Sequence, residues 1–455
     1  MPPQTYLFVF NVLSPHQYKP YFYNHQSIPM KKILCSLVLV SIFLHAHAQL
    51  EKRWLKHQVA TLTAPNMHGR GYVEKGKEHA SAYIQHKFTE FGLVPVGTDT
   101  TFVQRYTFPI NTFPGIVSLS INKKEVIPGE EFIVDAASTS FTAEKSKIRS
   151  VNLEKIKDSV QWSKQLASFT NDINDKVWIL DNLDSLCKEL ELRPSQLVKF
   201  LPKGCYIVPQ HGKLIWDAST DTMAATVLYV EDSALPRWSR NAEVNVHSVF
   251  IPASKNDNII GEVPGEVKDS FIVFTAHYDH LGMMGRETTF PGASDNASGT
   301  AMMLHLANYF AANPQHYTMV FIAFSGEEPG LLGSDYFVNH PLIPLDHIKF
   351  LTNIDIMGDA TDGITVVNAT EFPAQFSLLQ ELNTKHNYLT QVKSRGKAAN
   401  SDHYHFTERG VPSFFIYSNG GKGYYHDVFD NAKSLSMEHV DDVAKLLIDF
   451  TKAIK

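Results

Sequence analysis

The second half of the chain carries histidines and carboxylates just after short apolar runs. The ligand-type side chains are His277, Asp295, Glu328, Asp355 and His426, and Glu327 stands beside Glu328 as one further carboxylate. Two histidines and three carboxylates suit two zinc ions that share one carboxylate, because catalytic zinc takes mixed ligands and keeps a position open. Two metals about 3.5–4 Å apart can bind and deprotonate one water. The residue types therefore predict a site for two metals that activates water.

Each of these signals is weaker when it is considered alone. His277 and Asp279 share one face of a strand, so Asp279 could orient the ligand ring, but a structural His–Asp pair is the commoner explanation. Asp295 precedes a helix, where Asp also serves as an N-cap. The pair Glu327–Glu328 would mean little in a solvated loop. Asp355 is the strongest single signal, because a carboxylate on an apolar strand is rarely buried without a partner or a metal.

The elements that would position these residues alternate between strands and helices from residue 257 onward. The apolar runs 271–276, 319–324, 350–354 and 413–417 are typical of buried parallel strands, and helical patterns cover 298–312, 330–339 and 440–453. This order predicts an α/β fold with a mixed, mostly parallel sheet flanked by helices. Such sheets bind ligands at the carboxyl ends of their strands, which is where the polar residues lie.

The remaining chain divides into two parts. Residues 49–110 contain a helical pattern over 75–91 that ends at Gly92, and they form the first part of the catalytic domain. Residues 111–250 show no clear period and include a charged helical stretch near 144–165, so they are interpreted as an inserted α+β or β-rich domain. Residues 251–455 then form the second part of the catalytic domain.

Composition narrows the class of protein. The chain has 455 residues, 44% hydrophobic and 19% charged, which is typical of globular proteins. A net charge of −6 argues against a nucleic-acid partner. Three cysteines cannot form a four-cysteine zinc site, and Cys187 and Cys205 could either pair or remain free thiols.

The amino terminus carries a targeting pattern. Lys31 and Lys32 precede the apolar run 33–44, and Ala46-His47-Ala48 forms a cleavage signature before Gln49. The run is shorter than the roughly 20 residues of a membrane span. We therefore expect a signal peptide at 30–48, an upstream start artefact at 1–29, and an exported, periplasmic or extracellular protein without a membrane span.

Six motifs occur in the order found in one family. The chain resembles the co-catalytic zinc metallopeptidases, which include bacterial secreted aminopeptidases and glutamate-carboxypeptidase-like proteins. The resemblance covers about 257–432, with weaker similarity at 67–71. The motifs are His277-Tyr-Asp279, Ser294-Asp295-Asn-Ala-Ser-Gly299, Ser325-Gly-Glu327-Glu328-Pro-Gly-Leu-Leu-Gly-Ser334, Asn353-Ile-Asp355, Ser401-Asp402-His403 and Tyr425-His426.

The resemblance implies a metal-binding role for each ligand-type residue. His277 and Asp355 would hold one zinc ion, Glu328 and His426 would hold the second, and Asp295 would bridge the two.

The resemblance also implies catalytic roles. Glu327 would be the general base that deprotonates the water between the metals, and Asp279 would orient the first ligand histidine. Tyr425 would stabilise the oxyanion. Asp402 and His403 would line the substrate site. Asp427 stands where relatives often have threonine, and residues 111–250 fall where some members of the family carry a protease-associated domain.

The implied function is a secreted zinc-dependent exopeptidase, an aminopeptidase that acts on a peptide or aminoacyl substrate. One alternative is a glutaminyl cyclase-like acyltransferase with a single zinc, although such enzymes lack an intact Gly-Glu-Glu loop. Another is a non-catalytic, receptor-like ectodomain, although such members lose ligands. The sequence leaves open the side-chain preference, the need for a free amino terminus and the oligomeric state.

Overall fold

The structure is a computed structural model that describes residues 51–97, 100–170, 176–236 and 238–454. The predicted signal peptide and the segment before it lie outside these residues. Within the described ranges, no helix is both long and apolar enough to cross a membrane.

The described residues form nineteen named strands, which belong to two large sheets and one hairpin. In chain order they are β1 (Val94–Pro95), β2 (Val103–Thr112), β3 (Val117–Ile121), β4 (Lys124–Val126), β5 (Phe132–Val134), β6 (Phe141–Asn152), β7 (Lys176–Asp181), β8 (Cys205–Gln210), β9 (Thr226–Glu231), β10 (Asn241–Val246), β11 (Val249–Val263), β12 (Val267–His277), β13 (Gly282–Met284), β14 (Thr288–Phe290), β15 (Tyr317–Phe324), β16 (Ile348–Ile354), β17 (Ile364–Val367), β18 (Val392–Ser394) and β19 (Ser413–Ser418).

Ten α-helices accompany the strands in the described part of the chain. They are α1 (51–62), α2 (Gly76–Phe91), α3 (Ser159–Thr170), α4 (Leu183–Leu190), α5 (Pro194–Leu197), α6 (Gly299–Ala312), α7 (Leu332–Asn339), α8 (Pro373–His386), α9 (His403–Glu408) and α10 (Val440–Ala453).

The first sheet has nine strands in the order β1-β11-β15-β12-β16-β19-β17-β18, with β2 also paired to β11. Its centre is parallel, because β12 pairs in parallel with both β15 and β16, and β16 pairs in parallel with β19. The pairs of β11 and the pair β17–β19 are antiparallel. The predicted α/β fold with a mixed sheet is thus confirmed.

Helices cover both faces of this sheet. Apolar residues of α1, α2, α6 and α10 join the core on one face, and those of α7 and α9 join the core on the other. Strands β12, β15 and β16 are therefore buried on both faces, which is why their sequences are continuous apolar runs rather than alternating ones. The expected helix over 440–453 is observed with those bounds, and the helix ending at Gly92 begins at Gly76.

The second sheet is built from residues 117–246, which we call the inserted region. Its strand order is β4-β3-β10-β6-β7-β8-β9-β5. The flanking strands β2 and β11 pair with each other in the first sheet, with Thr112 opposite Val249, so the inserted region is an excursion from one edge of that sheet. Strands β6 to β9 pair in parallel, with helices α3 to α5 between them.

One local expectation in this region is wrong. The charged stretch near 144–165 was expected to be helical, but its first part belongs to β6, and the helix α3 begins only at Ser159. The charged residues of β6 are mostly exposed, and an exposed strand face carries charge as readily as a helix does. Cys187 and Cys205 are both buried free thiols.

Candidate metal centre

The parallel centre of the first sheet brings the chemically active residues together. His277 ends β12 and lies opposite Phe324, the last residue of β15, while Thr275 lies opposite Asn353 near the end of β16. The residues that follow these three strands therefore emerge at one edge. Asp295 lies in a turn, Ala293–Ser298, that leads into α6, and His426 follows the loop after β19.

One set of ligand-type side chains consists of His277, Asp295 and Asp355, and we call it the strand-side set. Nε2 of His277 lies 3.3 Å from Oδ1 of Asp295 and 3.3 Å from Oδ1 of Asp355. Its Nδ1 donates to the main-chain oxygen of Asp279 at 3.1 Å. All three ligand-type side chains are nearly fully buried.

A second set consists of His426, Glu328 and again Asp295, and we call it the loop-side set. Nε2 of His426 lies 3.1 Å from Oδ2 of Asp295 and 3.0 Å from Oε2 of Glu328. Its Nδ1 donates to the main-chain oxygen of Trp216 at 2.9 Å. Asp295 thus presents one carboxylate oxygen to each set, as a bridging ligand must.

The donor chemistry of both sets fits divalent cations. Each Nδ1 faces a carbonyl oxygen, which can only accept a hydrogen bond, so the proton of the neutral ring lies on Nδ1. Each Nε2 therefore carries a lone pair that is directed at two carboxylates. That arrangement is repulsive unless a proton or a metal ion lies between the atoms. Burial lowers the pKa of His277, but Asp355 and Glu327 outweigh burial and raise that pKa well above its ordinary value. A metal ion would replace the proton that the carboxylates otherwise hold there.

Glu327 lies beside His277, but farther from its Nε2 than Asp295 and Asp355 do. Its Oε2 lies 3.9 Å from Nε2 of His277. Burial, together with the charge of Glu328, raises the pKa of Glu327 well above its ordinary value. A carboxyl group with a raised pKa can accept a proton from water and later release it.

A tight turn after β15 aims the two glutamates at the site. Gly326 adopts a φ of +73°, and a side chain there would meet Phe108 at 2.8 Å and Tyr106 at 3.0 Å. Tyr106 donates its hydroxyl to the main-chain oxygen of Ser325 at 2.5 Å. Only glycine combines this conformation with this close approach.

Asp279 contacts the His277 ring mainly through its main chain. Its carboxylate lies 3.8 Å from Nδ1 of His277, and the shorter contact to that ring comes from its main-chain oxygen. The carboxylate instead accepts from the hydroxyl of Tyr72 at 3.1 Å and the main-chain nitrogen of Glu327 at 3.3 Å. Asp279 thereby links the His277 strand to the glutamate turn.

Asp355 is held by a chain of side-chain hydrogen bonds that runs from the loop before α9 to strands β16 and β12. Ser401 donates to Oδ2 of Asp355 at 2.9 Å, and Asn353 donates to the Ser401 hydroxyl at 2.7 Å. Thr275 in turn donates to Asn353 at 2.7 Å. This chain leaves Oδ1 of Asp355 free to face His277.

The turn that carries Asp295 is fixed from both sides. The Asp430 carboxylate accepts from the main-chain nitrogens of Ser294 and Asp295. Arg70 is fully buried and donates to five main-chain oxygens, those of Leu62 (3.1 Å), Tyr278 (2.8 Å), Pro291 (2.7 Å), Gly292 (2.7 Å) and Asp295 (3.3 Å). Burial lowers the pKa of Arg70 to about 10, which leaves it charged at neutral pH.

His280 orients the loop-side carboxylate. Its Nδ1 lies 2.5 Å from Oε1 of Glu328, which leaves Oε2 of Glu328 to face His426. The two imidazole rings meet edge to face with centroids 5.7 Å apart. His280 also offers a ligand atom near Asp295 and Glu328.

The three remaining predicted residues lie around this core. The Tyr425 ring is 40% exposed and stacks on the ring of His426 at 3.9 Å. Asp402 and His403 are fully buried where α9 begins. Burial raises the pKa of Asp402 to about 7 and lowers the pKa of His403 to about 3.

Sequence reasoning assigned no role to several supporting residues. Arg70 lies within the segment 67–71 of weaker similarity, where a lone arginine beside glycines was an available signal, and His280 directly follows the motif His277-Tyr-Asp279. Ser401 belongs to the motif Ser401-Asp402-His403. No sequence pattern indicated Tyr72 and Trp216, because they lie far along the chain from the residues that they contact.

Comparison with known proteins gives one family match. Residues 258–451 match the sequence model of Peptidase family M28. The chain is 29% identical over 209 residues to aminopeptidase YwaD of Bacillus subtilis, covering 42% of this chain and 43% of that protein. It is 31% identical over 261 residues to a probable leucine aminopeptidase of Trichophyton verrucosum, covering 52% and 65%. The chain therefore spans less than two thirds of the length of these curated relatives.

Solved structures share the fold over most of the chain. BSAP, a zinc aminopeptidase from Bacillus subtilis, superposes with a TM-score of 0.63 at 18% identity, covering 88% of this chain and 94% of that one. A Peptidase M28 precursor from Shewanella amazonensis superposes with a TM-score of 0.61 at 14% identity, covering 90% and 97%. At these identities the likeness concerns the fold.

Proposed function

We propose that this chain is a zinc-dependent aminopeptidase with two zinc ions, because residues 258–451 match the sequence model of Peptidase family M28. The observation that carries the proposal is the placement of Asp295, whose two carboxylate oxygens face His277 and His426 separately. The printed names of relatives, which include aminopeptidases, support the same activity.

The two sets of ligands would each hold one metal ion. The strand-side ion would take His277, Asp355 and one oxygen of Asp295, and the loop-side ion would take His426, Glu328 and the other oxygen. When bound, two zinc ions would lower the pKa of water and polarise the scissile carbonyl group. The side chains that remain supply proton transfer and positioning.

Glu327 is the proposed general base. It would take a proton from the attacking water and return it to the leaving amine, a role that suits its raised pKa. Tyr425 would donate a hydrogen bond to the oxyanion, and its stacking on His426 holds it near the loop-side set. Asp279 positions the Glu327 main chain, and Asp402 with His403 would line the substrate side.

The proposed activity is tested with a panel of matched substrates. Leucyl-p-nitroanilide should be hydrolysed, and its acetylated counterpart should not, because an aminopeptidase requires a free amino terminus. A chelator should abolish the activity and added zinc should restore it. Hydrolysis that survives complete metal removal, or that prefers the blocked substrate, would contradict the proposal.

Metal content separates the proposal from the cyclase alternative. Elemental analysis after dialysis should give about two zinc ions per chain, by the ligand count of co-catalytic sites. A stable value of one, together with release of ammonia from an amino-terminal glutaminyl peptide, would favour a glutaminyl cyclase. Two zinc ions without any hydrolysis would favour a binding protein.

Export is a further part of the proposal, and it rests on the sequence of residues 30–48. Amino-terminal sequencing of the mature protein should begin at Gln49, since Ala46-His47-Ala48 is the cleavage signature. A mature protein that retains residues 1–29 would contradict both export and the expected start at Met30.

A further inference from the structure

The inserted region reaches the loop-side set through one short segment, residues 213–217. Trp216 donates its main-chain nitrogen to the main-chain oxygen of His426 at 3.0 Å and accepts from Nδ1 of the same residue at 2.9 Å. Oδ1 of Asp217 lies 3.2 Å from that Nδ1 as well. The His426 backbone and ring are thus bound by a segment about 210 positions earlier in the chain.

An ion pair strengthens this junction. Nζ of Lys213 lies 2.6 Å from Oδ2 of Asp427, whose side chain is only 4% exposed, and it donates to the main-chain oxygen of Gly423 at 3.2 Å. Oδ1 of Asp427 accepts from the main-chain nitrogens of Phe429 and Asp430. Asp427, which stands where relatives often have threonine, is therefore paired with a lysine of the inserted region.

The segment is anchored at its other end to the second sheet. The Trp216 side chain is buried, its indole nitrogen donates to the main-chain oxygen of Val134 in β5 at 2.8 Å, and its ring stacks on Phe290 at 4.6 Å. Trp216 therefore ties a strand of the inserted region to the ligand loop, and its side chain fixes where its main-chain oxygen points.

We propose that the inserted region positions a metal ligand of the catalytic site, and that Trp216 and Lys213 set the affinity of the loop-side metal. The reason is that a ligand histidine almost always donates its second ring N–H to an acceptor that fixes the orientation of the ring, and loss of such a partner weakens metal binding. The strand-side set has no contact of this kind with residues 213–217 among the described hydrogen bonds. The proposal rests on the two-metal function proposed above.

The test measures metal affinity in the full-length protein. Zinc is titrated against a competing chelator, and cobalt is titrated with its visible absorption as a second readout. The variants are Trp216→Leu and Lys213→Met. Trp162→Leu and Lys157→Met are matched controls, since Trp162 is buried in a different core of the inserted region and Lys157 pairs with Glu189 on its surface.

Wild-type protein should bind metal in two steps. Trp216→Leu should weaken one step by about 10–100-fold and leave the other unchanged, and saturating zinc should restore its hydrolytic activity. Lys213→Met should weaken the same step by less than Trp216→Leu does, because Lys213 holds the residues beside His426 and does not contact the ring. Both controls should bind metal as the wild type does, even if Trp162→Leu lowers the unfolding temperature.

Each other outcome contradicts the proposal in a distinguishable way. If Trp162→Leu weakens the same step as much as Trp216→Leu, the inserted region acts through overall stability rather than through the segment. If Lys213→Met and a folded Trp216→Leu bind both metals normally, the segment has no role; if Trp216→Leu does not fold, Lys213→Met decides alone. A single binding step in the wild type would contradict the two-metal function itself.

Discussion

The strand-side and loop-side sets use similar ligands but are supported in different ways. The strand-side residues His277 and Asp355 end or follow adjacent parallel strands. The Asp355 carboxylate is held by Ser401, which lies just before α9, and Ser401 in turn accepts from Asn353 on β16, which accepts from Thr275 on β12. The loop-side residues Glu328 and His426 lie in loops. Their partners are a histidine after another strand and a segment of the inserted region.

This difference shows how rigidity is obtained at a metal site. In both sets the second polar atom of each ligand has a partner, as metal ligands generally require. On the strand side these partners are the Asp279 carbonyl group and Ser401, and the ligands also begin from strand ends fixed by main-chain pairing. The loop ligands lack that pairing, and their partners are His280 and the inserted region. Asp295 belongs to both sets, and Arg70 and Asp430 fix its turn from opposite sides.

The largest expected effect tests whether the two adjacent glutamates belong to different systems. Glu327→Gln should keep both zinc ions and lower kcat by about 10²–10⁴-fold, because it removes only the proton acceptor. Glu328→Gln should instead weaken the loop-side zinc and regain part of its activity in excess zinc. Kinetics and metal analysis of the two glutamine variants, which preserve side-chain shape, check this prediction. If Glu327→Gln loses zinc while Glu328→Gln keeps it, the two roles are reversed.

Asp295→Ala should affect both sets at once, because it removes the one ligand that they share. Both metal ions should bind more weakly, by more than the roughly 10–100-fold typical of outer partners. Asp355→Ala is the control and should weaken only the strand-side ion. Stepwise chelator titration measures both, and loss of a single step in Asp295→Ala would show that Asp295 serves one set only.

Arg70→Met should destabilise the turn that joins the two sets. Five main-chain oxygens would lose their charged donor, and four of these hydrogen bonds are buried. Each unsatisfied buried group costs about 1–3 kcal/mol, so we expect a loss of at least about 4 kcal/mol in unfolding free energy. Arg105→Met removes an exposed arginine paired with Asp257 and should cost at most about 1 kcal/mol. Denaturant unfolding of the metal-free proteins compares them, and equal costs would contradict the structural role of Arg70.

The smallest expected effect concerns the hydrogen bond that supports Asp355 in the strand-side set. Ser401→Ala removes the donor to Oδ2 of Asp355 and should weaken the strand-side metal by about 10-fold, with the loop-side metal unchanged. Ser434→Ala, whose hydroxyl bonds the Asn431 main chain, should change neither. Weakening of the loop-side step by Ser401→Ala would mean that the two sets are not supported independently.

Much of the fold could be predicted from the sequence because burial on both sheet faces leaves a visible pattern. The runs around β12, β15 and β16 are continuously apolar, and the helix ending at Gly92 is marked by a glycine that adopts a φ of +81°. The second sheet was harder to predict, because its long strand β6 carries exposed charged residues. In β6 the pattern of exposure alternates weakly, so charge alone suggested a helix.

The sequence by itself determined which residues could bind metal and that they follow strands of one sheet, because residue type and strand period are local properties. Tertiary structure alone decided which atoms meet. Only the folded chain shows that Asp279 contacts His277 through its carbonyl oxygen, that His280 turns Glu328 toward His426, and that Trp216 from the inserted region holds His426. The physical reason is that these contacts join residues far apart along the chain, and hydrogen bonds depend on positions in space that no local pattern records.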